Sequence, residues 1–218
     1  MSLVVAKVGG AVAAAAARDV RALVLKQHKV VVVHGAGPQI TAEMKRRGLE
    51  VEFVAGRRVT TAAALEVVRE SMASVNTALC AALGPQALPL PDGVLDAVRV
   101  PALGLVGDPV PSAPSVILDA LAAGRIPVVA PLARGPLNVN GDEAAVALAL
   151  GLGADRLVFL TDVPGVYLDG AVMSALGADE AERLAGAWEG GIVPKLLAAA
   201  RAARLGVSAE IGATAVVA

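Results

Sequence analysis

Asp142 lies in the segment NVNGDEAA at positions 138–145, where two asparagines and a glycine precede two acidic residues. Val146 and Leu150 follow at helical spacing, which predicts that a helix starts here. In one interpretation Asp142 is structural and caps the helix by accepting a hydrogen bond from a free backbone N–H group. In that interpretation Glu143 is favoured by the positive end of the helix dipole. In the other interpretation Asp142 has a chemical role. The segment alone favours the cap.

Three glycine-containing turns follow predicted strands and could bind an anion. They read VAKVGGA at 5–11, VVVHGAGPQI at 31–40 and FLTDVPGVY at 159–167. Such turns let backbone N–H groups approach a phosphate, and helix N-termini favour negative charge. Because the carboxyl ends of parallel strands meet at one edge of a sheet, we expect the three turns to lie together there.

Neither common nucleotide-binding fingerprint is present. The chain lacks GxxxxGK[ST], and HGAGPQI does not have the GxGxxG spacing, which disfavours a P-loop enzyme and a dinucleotide-binding fold. Phosphoryl transfer needs mainly positioning and positive charge around the phosphates, so it remains compatible with the sequence. A lone Cys80, expected on a buried helix face, and two histidines without HExxH give no support for a metal site.

Short β-branched runs alternate with alanine- and leucine-rich segments, which predicts an α/β fold with a mainly parallel sheet covered on both faces. A further helix is expected at 61–83, a hairpin at 51–60, and a polar or proline-rich connection at 84–115. The predicted strands are LVVAKV, KVVVVH, RIPVVAP and RLVFLT, and the helices that follow them span 12–27, 38–48, 142–152 and 193–206.

Length and composition favour one compact domain, 1–218, in the cytoplasm. The 218 residues can bury a sizeable core. No apolar stretch approaches the roughly 18 residues of a membrane span, and MSLVVAKVGG enters a strand directly, without a targeting segment. Net charge is −1 with both signs mixed, which indicates neither a nucleic-acid partner nor a membrane surface. The basic patch at 45–47 is expected on a solvated helix end.

Six motifs occur in the order found in the amino acid kinase family, and the chain most resembles its N-acetylglutamate kinases. They are KVGG at 7–10, HGAGPQ at 34–39, GRRVT at 56–60, NVNGDEAA at 138–145, LTDVPGVY at 160–167 and GGIVPK at 190–195. The resemblance implies a three-layer αβα sandwich around an open sheet. It also implies transfer of the ATP γ-phosphoryl group to the side-chain carboxylate of N-acetyl-L-glutamate, in arginine biosynthesis.

The resemblance assigns the catalytic roles to two lysines and one aspartate. Lys7 and Lys195 would flank the transferring phosphoryl group and stabilise its developing charge, because an attacking carboxylate and a phosphate repel each other. Asp142 would hold both ammonium groups in place while also capping its helix. Magnesium is implied by ATP and is expected to be held mainly by phosphates and water, with no protein ligand.

The remaining site residues also come from matching motifs. Arg58 would bind a substrate carboxylate and Asn138 the acetylamino acid, while neighbouring Arg57 is expected at the surface. Backbone N–H groups of Gly35, Ala36 and Gly37 would bind the substrate or its phosphate. Trp188 is interpreted either as a neighbour of the base or as a packing aromatic. The nucleotide-binding positions would be Gly9, Gly10, Thr161, Asp162, Val163, Gly165, Val166 and Tyr167.

The chain departs from the family pattern in three places. Ala36 stands where a glycine is common and is tolerated only if its φ is negative. The segment LGVSAEIGATAVVA compresses the usual C-terminal region, so activity requires that the closing strand still pairs. The first strand begins at Leu3, without the added N-terminal helix of arginine-inhibited hexamers. We therefore expect a homodimer that arginine does not inhibit, with lobe 1–135 carrying the acyl substrate and dimer contacts and lobe 136–218 the nucleotide.

Two alternatives remain open from the sequence. The first is a kinase of the same fold for a carrier-protein-linked aminoadipate or glutamate, docked through Arg46, Arg47 and Arg57. The second is a nucleotide-binding protein without turnover, suggested by Ala36 and the shortened C-terminal region.

Overall fold

The computed structural model describes residues 2–10, 13–168 and 170–218 of the chain. The helices are α1 (Ala13–Leu25), α2 (Gly37–Arg46), α3 (Ala62–Leu83), α4 (Ser115–Ala122), α5 (Gly141–Gly151), α6 (Ala178–Ala187) and α7 (Val193–Arg204). The strands are β1 (Leu3–Val8), β2 (Lys29–His34), β3 (Phe53–Val54), β4 (Arg57–Arg58), β5 (Ala87–Leu90), β6 (Ala97–Arg99), β7 (Val106–Pro109), β8 (Ile126–Val129), β9 (Leu132–Ala133), β10 (Leu137–Val139), β11 (Arg156–Leu160), β12 (Tyr167–Leu168), β13 (Ala171–Val172), β14 (Ala175–Gly177), β15 (Ser208–Ile211) and β16 (Thr214–Val217).

The main sheet runs in the order β14-β16-β15-β11-β1-β2-β8-β5. Neighbours from β15 to β5 pair in parallel, and β16 pairs antiparallel with β15. Val8 of β1 lies opposite His34 on one side and Leu160 on the other. The three glycine turns therefore leave adjacent strands at the same level, which confirms the prediction that they share one edge.

Helices cover both faces of this sheet. Val5, Val31 and Val33 pack in one core with residues of α4 to α7, whereas Ala6, Val30 and Val32 pack in a second core with α1 and α3. Successive residues of one strand point to opposite faces, so a strand buried on both sides is continuously apolar. The α/β class and the three-layer αβα architecture are confirmed.

The predicted helices match the structure to within two residues at each end, although position 12, the expected start of the first, lies outside the described residues. The hairpin in 51–60 is also confirmed as β3 and β4. The interpretation of 84–115 as a connection was wrong, because it contains β5, β6 and β7. β5 is an edge strand, a position that tolerates proline, and the prolines of ALPLP concealed its pattern.

A smaller sheet of order β6-β7-β10-β9 lies beside the main one and carries Asn138 on β10. At the C-terminal end, β16 pairs with both β15 and β14, so the closing strand is in place despite the compressed sequence. In the described part of the chain, no helix combines the length and apolar character needed to span a membrane.

Candidate active site

Lys7 enters the site from the end of the central strand β1. In the sheet it lies between Val33 of β2 and Phe159 of β11, and only 6% of its surface is exposed. The ammonium lies 2.7 Å from Asp142 Oδ1. An ammonium removed from water needs a compensating charge, so the position of Lys7 depends on this carboxylate.

Asp142 is not the N-cap of its helix. That position belongs to Asn140, whose Oδ1 accepts from the backbone N–H groups of Asp142 at 2.8 Å and Glu143 at 3.2 Å. The predicted cap was wrong because the helix begins at Gly141, one residue earlier than expected. The Asp142 carboxylate is therefore free for the lysines, with Oδ2 lying 3.6 Å from Lys195 Nζ.

Lys195 lies in the first turn of α7, four residues after the glycine pair 190–191. Its ammonium donates to Gly191 O at 3.1 Å, and its side chain is 15% exposed. Burial lowers the pKa of Lys195 below its ordinary value, Asp142 opposes this shift, and Lys7 reinforces it. Asp142 thus favours the charged form of a lysine that burial and a like charge both disfavour.

The turn after β2 approaches the turn after β1 very closely. Gly35 N donates to Val8 O at 2.9 Å, and Gln39 Nε2 donates to Gly10 O at 2.9 Å. A Cβ on Gly10 would lie 2.8 Å from Gly35 O and 2.9 Å from the Cα of Ala36. Ala36 has φ of −143° and is fully buried, so its own Cβ is accommodated without strain.

Arg58 points into a pocket of about 180 Å³ that is also lined by Lys7, the turn 35–37, Asn138 and Asp142. Its guanidinium donates to Thr41 Oγ1 at 2.7 Å and Gly37 O at 3.3 Å, and lies 4.6 Å from the centroid of the Phe53 ring. Burial lowers the pKa of Arg58, and in the described residues no carboxylate forms an ion pair with it. The pocket therefore offers an uncompensated cation to an acid.

Asn138 is held by a threonine that motif spacing did not single out. Asn138 Nδ2 donates to Thr60 Oγ1 at 3.1 Å, and the Thr60 hydroxyl donates to Arg58 O at 2.8 Å. Thr60 is fully buried. Thr60 connects the two substrate-binding candidates, Arg58 and Asn138. Its position as the last residue of the GRRVT motif was the one sequence feature that could have indicated this role.

A second cavity, of about 600 Å³, opens on the other side of the lysines. It is lined by Lys7, Lys195, Gly9, Gly10 and residues 160–163 among others. Three further predicted nucleotide positions lie apart from these lining residues. Gly165 packs against Thr214, Val166 is buried in the core, and Tyr167 is exposed on the β12–β13 hairpin.

The sequence profile described as Amino acid kinase family matches residues 2–212. The chain belongs to the amino acid kinase family. A Rubrobacter xylanophilus protein named acetylglutamate kinase is 44% identical over an alignment of 226 residues, gaps included, that covers 97% of this chain and 88% of the relative. A Saccharopolyspora erythraea protein of the same name is 44% identical over 200 residues, which cover 81% of this chain and 66% of that relative. The solved structure of smu.665 from Streptococcus mutans superposes with a TM-score of 0.85 at 27% identity, covering 99% and 98% of the two chains.

In this amino acid kinase, Arg57 is not the surface arginine that the sequence suggested. Its side chain is partly buried, with 25% exposed, and its guanidinium pairs with Asp108 and Glu143. Sequence spacing gave no signal for this contact, because both partners are distant along the chain. Trp188 lines a separate cavity of about 530 Å³ between α5 and α7, together with Glu143 and Val193.

His34 is a further buried group beneath the site. Asn76 Nδ2 lies 3.1 Å from His34 Nε2, and His34 Nδ1 lies 3.4 Å from Gly35 O. Burial lowers the pKa of His34 to about 4, and nearby Lys7 acts in the same direction. The imidazole is therefore neutral at pH 7 and supports the turn that carries Gly35.

Proposed function

We propose that this kinase transfers the γ-phosphoryl group of ATP to the side-chain carboxylate of N-acetyl-L-glutamate, the acetylglutamate kinase reaction of arginine biosynthesis. The observation that carries the proposal is the charge of the site. Lys7, Lys195 and Arg58 bring three cations to two adjoining cavities, whose carboxylates are Asp142, which lies against both lysines, and Asp162. The excess positive charge suits an anionic acceptor beside a polyphosphate. The 44% identity to proteins named acetylglutamate kinase supports the choice of acid.

The acyl substrate occupies the pocket of about 180 Å³. Arg58 binds its α-carboxylate through the guanidinium fork, and Asn138 contacts the acetylamino group. The reacting carboxylate lies against the backbone N–H groups of Ala36 and Gly37. The expected N–H contact from Gly35 is corrected, because that group already donates to Val8 O at 2.9 Å. This arrangement places the nucleophilic oxygen next to Lys7, because Lys7 lines both cavities.

The chemical step is a direct displacement. A carboxylate oxygen forms a bond to the γ-phosphorus as the bond from that phosphorus to the β–γ bridging oxygen breaks, and ADP leaves with the electron pair. Lys7 acts from the nucleophile's side and Lys195 from the nucleotide's side, where each stabilises negative charge on the transferring group. Asp142 lies against both ammonium groups and favours the charged form of Lys195.

The nucleotide occupies the cavity of about 600 Å³. The N–H groups of Gly9 and Gly10 bind its phosphates, and a Cβ on Gly10 would displace this turn because it would collide with Gly35 and Ala36. Of the loop 161–167, Thr161, Asp162 and Val163 line this cavity and contact the adenosine, whereas Gly165, Val166 and Tyr167 lie apart from it. Mg²⁺ would neutralise charge on the phosphates, and we expect it to be held mainly by them and by water.

We further assign the acyl substrate mainly to the approximate lobe 1–135 and the nucleotide mainly to the approximate lobe 136–218, although Asn138 contributes to the first site and Gly9 and Gly10 to the second. We propose a homodimer joined through the first lobe and located in the cytoplasm, where ATP is available. Val98 on edge strand β6 and Leu118 on α4 are large, exposed apolar residues of the first lobe and support a contact surface there. Light scattering tests the assembly, and a monomeric or hexameric mass would refute it.

The structure weakens the carrier-protein alternative. Arg46 and Arg47 both pair with Glu43, and Arg57 pairs with Asp108 and Glu143. Three arginines already neutralised within the chain give little attraction to an acidic carrier. We therefore expect the free acetylated amino acid to be the acceptor.

ADP release from ATP and magnesium tests the proposal, with N-acetyl-L-glutamate compared with free glutamate. We expect turnover with the acetylated acid only, and its loss in Lys7→Ala. Lys26→Ala is the matched control, because Lys26 is exposed and lines neither cavity, and it should retain full activity. Absence of turnover with either acid in a folded protein that binds ATP would refute the proposal and favour a non-catalytic role.

A further inference from the structure

The β3–β4 hairpin has little to stabilise it by itself. Each strand contains two residues, and Val54 pairs with Arg57 across the turn Ala55-Gly56. Both turn residues have positive φ, 48° and 77°, as a two-residue hairpin turn of type I′ requires, and this conformation is unfavourable for alanine. Isolated two-stranded hairpins are marginal in water. The position of this hairpin must therefore depend on contacts with the rest of the protein.

The hairpin also forms part of the active site. Phe53 lines both the acyl-substrate pocket and the nucleotide cavity, although 53% of its surface is exposed. Arg58, the next residue after Arg57, points into the acyl-substrate pocket. Arg57 also lines this pocket, but its guanidinium pairs with Glu143 and Asp108. A shift of the hairpin would move Arg58 with it.

Arg57 makes the charged contacts that fix this hairpin to two other elements. Its Nε and Nη2 lie 3.1 and 3.0 Å from Glu143 Oε1 in the first turn of α5, and its Nη1 pairs with Asp108 on β7. The side chains of Arg57 and Glu143 are 25% and 27% exposed, so water screens the contact only in part. An arginine held through several N–H groups is also fixed in orientation.

Glu143 follows Asp142 directly in the chain. The same turn of α5 thus positions the two lysines through Asp142 and the hairpin through Glu143. Asn140, which caps this turn, also donates to Gly56 O at 3.5 Å. The contact between Arg57 and Glu143 therefore helps to set the distance between Arg58, which binds the substrate, and Asp142, which positions the lysines.

We propose that Arg57 is a positioning residue whose pairing with Glu143 and Asp108 holds the β3–β4 hairpin, and with it Arg58, in the conformation that binds the acyl substrate. This inference rests on the proposed function. A protein that spends only part of its time in the competent conformation binds its ligand more weakly by that fraction, while the chemistry of the bound complex is unchanged. Loss of the contact should therefore raise KM for the acyl acid and leave kcat nearly constant.

The kinetic test uses Arg57→Met, which keeps a long side chain and removes its charge and N–H groups. We expect KM for N-acetyl-L-glutamate to rise about 3- to 10-fold, with kcat and KM for ATP within about twofold of the parent. Arg57→Lys should recover part of the loss, because it restores the charge without the fork. Arg69→Met is the matched control, since Arg69 pairs with Asp92 outside the site, and it should not change KM.

Glu143→Gln tests the partner. It should raise the same KM by a smaller factor, because Asp108 remains paired with Arg57. Combining it with Arg57→Met should add nothing further, since both changes then remove one contact. An additive double variant, or a fall in kcat at constant KM, would overturn the inference.

Hydrogen exchange tests the same contact without any substrate. The Val59 amide donates to Glu52 O at 3.1 Å at the base of the hairpin, and we expect the amides of 53–59 to exchange faster in Arg57→Met than in the parent or Arg69→Met. Unchanged exchange would overturn the inference. If the parent fails to phosphorylate the acyl acid, the proposed function fails, but the exchange result still decides whether Arg57 holds the hairpin.

Discussion

Replacing Asp142 with asparagine keeps the shape of the side chain and removes the charge that two buried lysines share. Asp142 Oδ1 and Oδ2 lie 2.7 Å from Lys7 Nζ and 3.6 Å from Lys195 Nζ. With an effective dielectric constant of about 20, the attraction over the longer distance alone is about 5 kcal/mol, an upper limit because water and neighbouring dipoles relax. Both ammonium groups would then repel each other without compensation. We expect Asp142→Asn to lower kcat by about 10²- to 10³-fold.

The pH dependence of kcat separates this charge effect from a loss of fold. Burial already lowers the pKa of Lys195, and Asp142 opposes that shift. Without Asp142 the pKa of Lys195 falls further, so its charged form is lost at a lower pH. The alkaline limb of the kcat profile should therefore move to lower pH in Asp142→Asn.

The assay is steady-state ADP release between pH 6 and 10 with both substrates saturating. Asp96→Asn is the matched control, because Asp96 pairs with Arg134 on the surface, and its profile should coincide with that of the parent. A kcat within tenfold of the parent, or an alkaline limb at the same pH, would show that Asp142 does not maintain the charge of the lysines.

Three further predictions follow from single positions. Ala55→Gly removes a Cβ from a residue at φ of 48° and should stabilise the docked hairpin by about 0.5–1 kcal/mol, so KM for the acyl acid should fall; a rise would contradict the assigned strain. Gly10→Ala places a Cβ 2.8 Å from Gly35 O, so it should raise KM for ATP and lower the free energy of unfolding in urea by about 1–3 kcal/mol. Gly186→Ala is the control, because a Cβ at Gly186 meets no neighbouring atom and should not destabilise the protein. The pKa of His34 is about 4 in the folded protein, below its unfolded value of about 6.5, so the unfolded chain binds the proton first as pH falls and stability should drop by about 2 kcal/mol between pH 7 and 5. His34→Asn should remove this part of the slope, and an unchanged slope would locate the effect elsewhere.

The sequence was sufficient for the features that depend on local patterns. Continuous apolar runs such as KVVVVH identified strands buried on both faces, and glycines after three of them located the edge where the site forms. The structure brings Lys7, Asp142 and Lys195 together at this edge. Parallel pairing places the ends of neighbouring strands side by side, so the position along a strand was enough to predict proximity.

Features that depend on side-chain direction or distant partners could not be predicted. Which residue caps α5, Asn140 or Asp142, depends on the exact residue at which the helix begins. A periodic pattern of apolar residues does not locate a helix start that finely. The pairing of Arg57 with Asp108 and Glu143 joins three separate elements, and no local spacing signals it. The strand β5 was missed because prolines are usually evidence against a strand, while an edge tolerates them.

The central place of β1 in the sheet has a consequence for biosynthesis. The strand that carries Lys7 leaves the ribosome early, and β2 follows soon after, but β11 on its other side is made only much later. Pairings so distant along the chain form slowly, and an unpaired apolar strand edge is prone to aggregation until they form. A nascent chain lacking β11 and α7 would expose one side of β1 and would have no Lys195. Competence for phosphoryl transfer should therefore appear late in synthesis, and this stage is where we expect the protein to depend most on chaperones.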